Sequence, residues 1–571
     1  MSRPGLTVCM IVRDERESLE QLLPVLVGCA DEVVVVDTGS TDGTADVARR
    51  LGGRVLDFAW CDSFSAARNR GLEVVETSHA AWLDANDRIE REDLERLRAA
   101  CLTKPDTAFR TLLVNESGDP AQVTSCWQLR AFPARPEHRF RGRIHERIAD
   151  SLNATGTRTE TLDVTVRHTP SLDPEEVLRK ARRDLELARR DGEEGRNDAV
   201  VLYHRLQAAH RCGETDEAAR LARRVADDPS DAAPPDVRQA AAVALASIEL
   251  RRGNAAEAEK VLRAAVDRAP SDPLSRFSLG DLLDRRGDLS GACRELEAAR
   301  VAPIRQGTVP VAVLGLRRAI RLRLGSVLER SGRFAEAAVA YREILDDQPE
   351  ERQAARSLAR TLIASGVPGE AERILLELGE DAPDGGEILM LRATVAFNRG
   401  EDDRATDLFT RAAARLPHEA TVPLHLGHLQ LRRGRVDEAR RHYERALHLS
   451  DTPETRVGMA ACDLESGRLS EALDHLAAAA EAGGGRPLPR GTEALSGEAL
   501  FRIGRPREAA EAFEKHLRRH GADPWILTRV ADCYRTLGAR DAAGLGYREA
   551  LKLAPELPEA VSGLRELETA R

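Results

Sequence analysis

From about residue 198 onward the chain repeats itself, and the repeat restricts the possible folds more than any other feature. Glycines fall at 213, 253, 287, 332, 366, 400, 434, 467, 504 and 538, and five of the nine intervals are 34 residues. Five residues after each glycine stands an alanine: Ala218, Ala258, Ala292, Ala337, Ala371, Ala405, Ala439, Ala472, Ala509 and Ala543. In seven of the ten a glutamate immediately precedes that alanine. Glycine enters the left-handed backbone that ends a helix without the penalty a Cβ brings, and alanine lets two helices cross closely. A unit of this length buries a face only against its neighbours, so the units must stack. About ten helical hairpins are expected, followed by a capping helix over residues 556–571. Prolines near the ends of the second helices, such as Pro270, Pro349, Pro417, Pro453 and Pro524, fit the same plan.

A 34-residue period with glycine at the inter-helix turn and alanine at the crossing is the signature of tetratricopeptide repeats, so residues 198–571 are expected to form an all-α superhelix. Aromatic residues make up only 4% of the chain against 42% hydrophobic residues, which suits helices packed through alanine and leucine. Arginine pairs before the turn glycines (Arg251-Arg252, Arg285-Arg286, Arg432-Arg433) lie where a helix dipole favours cations, and need no further role. Only Asn254 and Asn398 occur after residue 198, so the repeats carry no ladder of asparagines.

Residues 1–168 follow a different rule, short apolar runs alternating with amphipathic stretches. Strands are expected at Leu6–Val12, Val33–Val36, Arg54–Phe58 and Ala80–Leu83, with helices at Glu15–Val27, Thr44–Leu51 and Ser65–Val75 between them. This alternation predicts an α/β, Rossmann-like domain with a mainly parallel sheet and helices on both faces. After a helix at Leu94–Cys101, less regular strands are read at Ala108–Val114, Gln128–Ala131 and Asp163–Val166. Residues 169–197 are expected to be a connecting helix or linker.

The net charge of −10 argues against a nucleic-acid partner. No run approaches 18 apolar residues, so no membrane insertion is expected, and the first residues run too soon into charge for a signal peptide. Nine scattered cysteines, an odd number without a C-x-x-C pair, fit reduced thiols and a cytoplasmic location.

Residues with chemical potential cluster between 33 and 89. Four valines deliver Asp37 to the carboxyl end of a central strand, and Thr38-Gly39-Ser40-Thr41-Asp42-Gly43 then turns into a helix. Such a turn can present N–H groups and hydroxyls to a nucleotide; an ordinary turn capped by Asp42 explains it as well. The aspartic-protease reading of Asp-Thr-Gly-Ser requires a second such carboxylate, and none is present. Trp82-Leu83-Asp84-Ala85-Asn86-Asp87 places oxygen ligands at a strand end, where Mg²⁺ or Mn²⁺ can bridge protein and diphosphate; a solvated loop with Asp87 as helix cap is the alternative. Arg68-Asn69, in Phe64–Gly71, is either a surface helix start or a guanidinium placed for a diphosphate.

Taken together, the VVVVDTGSTDGT, FSAARNRG and AWLDANDRI segments and the later Gly142-Arg143-Ile144-His145-Glu146 resemble bacterial family-two glycosyltransferases of the GT-A fold, over roughly residues 5–150. The resemblance implies that Asp37, with Thr38, Gly39, Ser40 and Asp42, reads the nucleoside. It implies that Arg68 and Asn69 lie near the diphosphate or sugar, and that Asp84 with position 86 holds ribose and metal. Asn86 stands where the family usually has aspartate, so metal affinity should fall unless Asp87 substitutes. Glu146 is the expected general base and Asp62 the second choice. Arg143 would neutralise the leaving diphosphate, and His145 and His168 are candidate metal ligands. His168 is followed by Thr169-Pro170 where relatives often continue Gly-Tyr.

The expected function is inverting transfer of a sugar from a nucleotide-sugar, with UDP as the family's usual nucleotide and a divalent ion as cofactor. The acceptor would be a peptide or protein presented by the repeats. The alternative is a non-catalytic repeat scaffold carrying a degenerate nucleotide-sugar domain, for which Asn86 and the missing Gly-Tyr speak.

Overall fold

A computed structural model describes residues 3–170, 173–228, 233–484 and 487–569. Contacts divide the chain into two compact units, Met1–Ala354 and Ala355–Arg571.

The first unit opens on an eight-stranded sheet in the order β3-β2-β1-β4-β7-β6-β8-β5. Its strands are β1 (Arg3–Val12), β2 (Glu32–Asp37), β3 (Arg54–Asp57), β4 (Thr77–Trp82), β5 (Asp87–Ile89), β6 (Thr107–Asn115), β7 (Thr124–Pro133) and β8 (Arg158–His168). Alternation along β1 explains the layers. Leu6, Val8, Met10 and Val12 face a core shared with Leu19, Leu22, Leu23 and Leu26 of α1 (Arg16–Cys29) and Leu94 and Leu97 of α4 (Arg91–Thr103). Cys9 faces the other way, with Val34, Val36 and Ala67 of α3 (Phe64–Leu72). The short α2 (Thr44–Arg50) follows the turn after β2, and α5 (Ala149–Ala154) precedes β8.

The expectation of a mainly parallel sheet holds for four of the seven strand pairings, three of them in one half and the fourth between β6 and β8. β3, β2, β1 and β4 run parallel, but β7 joins antiparallel to both β4 and β6, and β5 antiparallel to β8. β6 and β7 are consecutive strands joined by a loop rather than a crossover helix, and a hairpin connection can only give antiparallel pairing. β5 is a rim strand of three residues, too short to show a period in sequence.

Helix α6 (Pro174–Glu193) occupies the predicted connecting segment, with Asp173 accepting from the Glu175 N–H at 3.1 Å. From α7 (Ala199–Arg211) onward the chain is helical hairpins. All ten period glycines lie in left-handed backbone, with φ between 71° and 87°, and all ten alanines are at most 1% exposed. Four residues after those alanines come side chains that fill the space beside a glycine of the preceding helix. A Cβ on Gly325 would stand 2.5 Å from the Tyr341 ring, one on Gly427 2.7 Å from Tyr443, and one on Gly497 2.7 Å from Phe513. Pro453 and Pro524, read in sequence as closing helices, instead open the next ones, where a missing N–H costs nothing.

One long interval has a structural cause. Between Gly287 and Gly332 the extra residues form an irregular segment that returns to the sheet. Ser125 and Val311 exchange backbone hydrogen bonds at 3.0 and 3.1 Å, and the Trp127 N–H reaches Gly307 O at 2.9 Å. Asp236 Oδ2 anchors the same segment through the N–H groups of Thr308 and Val309 at 2.6 and 2.9 Å.

Candidate functional site

The carboxyl ends of β1, β2 and β4 and the loop over residues 141–147 bring most of the predicted residues into one region. Arg68, on α3 and 7% exposed, donates from Nη2 to Asp84 Oδ1 at 2.9 Å and from Nε to Glu146. Its guanidinium lies 4.2 Å from the centre of the Trp82 ring. Burial works against the charge on Arg68, but Glu146 and Asp84 outweigh it and hold its pKa above the ordinary arginine value. Burial likewise pushes the Asp84 carboxyl up, while Arg68 and Arg130 pull it further down, so it sits below the usual carboxylate range.

On the opposite side of Asp84 a second ion pair is sealed. Asp87 is fully buried and Arg130 almost so, with Oδ2 to Nη1 at 2.9 Å. The same Oδ2 accepts the Asp84 N–H at 2.9 Å, and Oδ1 accepts from His168 Nδ1 at 3.0 Å. Both oxygens of Asp87 are thus committed, and the residue positions others instead of offering a free ligand atom. Arg130 lies 3.9 Å from the Trp82 ring centre, so Trp82 meets two guanidinium groups.

The turn after β2 uses its donors internally. Asp37 Oδ1 accepts from the N–H groups of Gly39 and Ser40 at 3.0 and 2.8 Å. Asp14 accepts the Thr41 N–H at 2.7 Å, and Asp42 accepts those of Thr44 and Arg16 at 2.9 and 3.1 Å. The Thr38 hydroxyl goes to Val12 O, and the Ser40 hydroxyl accepts the Asp14 N–H at 2.9 Å. The Thr44 hydroxyl and backbone bonds hold the Asp42 carboxyl below its ordinary pKa. The anion-binding turn read from sequence is therefore largely self-satisfied, and it serves to hold Asp37 at the strand end.

Asn69 makes a reciprocal pair with Phe140, donating to its carbonyl at 2.9 Å and accepting its N–H at 2.8 Å. It is a clamp on the segment leading to Glu146. The loop itself closes with paired backbone bonds between Arg141 and Arg147. Gly142 adopts φ 108°, and a Cβ there would collide with the Arg196 side chain.

Three predicted residues are held by the following helices. The Arg143 N–H is bonded to both oxygens of Asp191 at 3.0 Å, and its side chain pairs with Glu194. Asp62 bridges to Arg190 of α6 at 2.8 Å and accepts from Trp60 Nε1 at 3.0 Å. The His145 ring stacks on His204 of α7, with centroids 4.1 Å apart and planes 13° from parallel. Burial, then Arg211 and Arg183, push the His145 pKa down to about 4; burial and His145 push His204 down to about 3. His145 is consequently turned toward the helical segment, not toward Asp84.

A divalent ion can be tested against these positions. Among the described residues, no three carboxylate, histidine or cysteine donors of this domain lie within 4.8 Å of one another. The side chain of Asp84 is 37% exposed, with Oδ1 taken by Arg68. His168 is 28% exposed and gives Nδ1 to a buried carboxylate, which is how a protein orients an imidazole to offer Nε2 to a metal. Asp84 and His168, with Asn86 in the segment between β4 and β5, would suit an ion that takes few protein ligands and completes its shell with phosphate oxygens and water.

Sequence reasoning did not identify Arg130, Asp14, Asp191 or His204. Only Arg130 left a signal: it shares the inward register of β7 with Phe132, a charge where alternation calls for an apolar residue.

Comparison with known proteins agrees with both halves. Residues 7–152 match the family model described as glycosyl transferase family 2. Residues 328–395 match one tetratricopeptide-repeat model, and 243–304, 424–487 and 495–558 another. A TPR repeat-containing protein of Synechococcus elongatus is 35% identical over 165 residues, covering 29% of this chain and 40% of that protein. The Protein CTR9 homolog of Arabidopsis thaliana is 32% identical over 107 residues, 18% of this chain and 10% of its own length. The match thus spans less than half of either relative. Among solved structures, the APC/C hetero-tetramer Cut9-Hcn1 is 15% identical over 65% of this chain and 96% of its own, at a TM-score of 0.35. The thermophilic TPR protein TTC0263 of Thermus thermophilus is 26% identical over 32% of this chain and 99% of its own, at 0.29. Among the described residues no helix is long and apolar enough to cross a membrane. The chain therefore joins a domain of glycosyl transferase family 2 to a run of tetratricopeptide repeats.

Proposed function

We propose that the protein is an inverting glycosyltransferase that moves a sugar from a nucleotide-sugar, with UDP the nucleotide to test first, to a peptide or protein acceptor held by its repeats. The observation that carries this reading is the bidentate hold of one buried guanidinium on Asp84 and Glu146. In this reading Asp84 serves the diphosphate side and Glu146 the acceptor side, with a single arginine between them.

In this reading Asp37 receives the nucleoside, kept at the strand end by the turn that folds back onto it. Arg68 supports the diphosphate side and fixes the carboxylate of Glu146. Glu146 takes the acceptor proton from the face opposite the leaving group, as a single displacement requires. Asp84 and His168, with Asn86, hold a Mg²⁺ or Mn²⁺ ion. When bound, that ion supplies charge to neutralise the departing diphosphate. Asn86 contributes an amide oxygen without charge, so the site holds its ion less tightly than one with a second carboxylate.

The repeats supply the acceptor because stacked helical hairpins present extended surfaces suited to polypeptide. A panel of nucleotide-sugars incubated with Mn²⁺ and the purified protein tests the donor half. Hydrolysis or transfer from one donor, with calorimetric binding of its nucleotide diphosphate, is expected; neither turnover nor binding would sink the reading and favour a scaffold.

A further inference from the structure

The second unit holds a cluster that the transferase reading does not use. Glu493 stands in the first turn of the helix Thr492–Arg502, and His516 and His520 stand one turn apart at the end of the helix Pro506–His520. The two helices belong to one hairpin, so these residues meet at its open end. One ligand atom from each lies within 4.8 Å of those from the other two.

Two observations mark the cluster as more than chance proximity. Glu493 is 5% exposed and His516 8%. Glu493 Oε2, His516 Nδ1 and His520 Nε2 are all buried and have no hydrogen-bond partner. A buried polar atom without a partner calls for an explanation, and here each of the three clustered residues carries one. The other carboxylate oxygen, Oε1, is taken by Arg519 Nη1 at 2.6 Å, which fixes the orientation of the carboxylate and leaves Oε2 directed at the histidines.

We propose that Glu493, His516 and His520 bind a divalent transition-metal ion of the zinc class. Histidines four apart on a helix present both rings on one side, and two imidazoles with one carboxylate form a common donor set for Zn²⁺. Tetrahedral coordination at ~2.0–2.1 Å needs ligand atoms roughly 3.3 Å apart. Oε2 and His520 Nε2 stand 4.0 Å apart, within reach of small side-chain rotations. His520 lies at the rim, 21% exposed on its side chain, so the fourth position opens toward water. The ion links the start of one helix to the end of its partner, where the interval between turn glycines lengthens from 34 to 37 residues. Its two imidazoles separate it in preference from the donor-side ion, whose set includes more oxygen and favours Mg²⁺ or Mn²⁺.

The test uses the full chain, stripped with chelator and titrated with Co²⁺. One equivalent is expected to give the visible absorption of tetrahedral Co²⁺, displaced by Zn²⁺, and Zn²⁺ is expected to raise the thermal midpoint. His516→Gln and His520→Gln, each checked for folding by circular dichroism, should lose the band and weaken affinity by more than about 100-fold, since removing a ligand costs more than removing its support. The band should persist in Asp84→Asn, which separates this site from the donor site. A wild-type protein with no tetrahedral Co²⁺ band overturns the proposal, whatever the variants do. A band unchanged in both folded histidine variants overturns it equally.

Discussion

Asp87 and His168 face each other across the ladder between β5 and β8, and the same pair is joined by a side-chain bond of 3.0 Å. Backbone register thus fixes which nitrogen of the imidazole is used. With Nδ1 donating to a carboxylate that already faces Arg130, Nε2 is the nitrogen turned to the site.

The Asp87–Arg130 pair is expected to be worth more to the fold than to the chemistry. Arg130→Met strands a fully buried carboxylate, and loss of one partner of such a pair costs about 3–5 kcal/mol. Three of the four tryptophans lie before residue 168 (Trp60, Trp82, Trp127), so urea unfolding followed by fluorescence reads this domain. A midpoint unchanged from wild type would show that the pair is not carrying the rim.

Glu146→Gln should reduce transfer by about 10²–10⁴-fold, the usual range for a general base, while calorimetry finds donor binding unchanged. Full activity in this variant would move the base to another group, with Asp62 the next candidate despite its bridge to Arg190.

Asn86→Asp is expected to tighten Mn²⁺-dependent donor binding, because a carboxylate replaces a neutral amide at the rim. Equal metal affinity in the two proteins would place the ion away from position 86.

Acid should loosen the first unit through the stacked His145 and His204. Their folded pKa values, about 4 and about 3, lie below the ordinary 6.5, chiefly through burial. Between those values the unfolded chain binds more protons than the folded one, so stability is complete above pH 6.5 and declines as the pH falls toward 4. His204→Phe keeps a ring for the stack and removes one titration; its urea midpoint should fall less between pH 7 and pH 4.5. A slope identical to wild type would assign the acid sensitivity elsewhere.

In the repeats, Gly458→Ala should destabilise by about 1–3 kcal/mol, the cost of overpacking. A Cβ there would stand 2.4 Å from the Tyr443 ring, which is fully buried. An unchanged thermal midpoint would mean that the two helices separate at little cost.

The sequence was most legible where one period covers many residues. Each turn glycine and each crossing alanine does the same job ten times, and the structure places all of them as expected. The valines of β2 were equally clear, because a strand buried on both faces is apolar throughout. The rest depended on partners distant in the chain. Asn86 and Asp87 look alike in sequence, yet β8 seals Asp87 while Asn86 stays at the rim. Arg143 and His145 read as site residues because their motif lies near Glu146, but α6 and α7 supply the groups that turn them away. No local pattern could show that Asp191 would receive the Arg143 N–H or that the segment near Val311 would return to Ser125.

The loop bearing Glu146 is moored from beyond the stretch that matches the transferase family. Asp191 takes its backbone at Arg143, Asp198 takes the Arg147 side chain at 3.0 Å, and His204 receives the His145 ring. All three come after residue 152, where the family match ends. A recombination event at that boundary would leave behind β8 with His168 and set the loop adrift. The heritable piece is consequently larger than the recognisable one: transferase and first helices must be inherited together, and a foreign array of repeats could be grafted on only downstream of them.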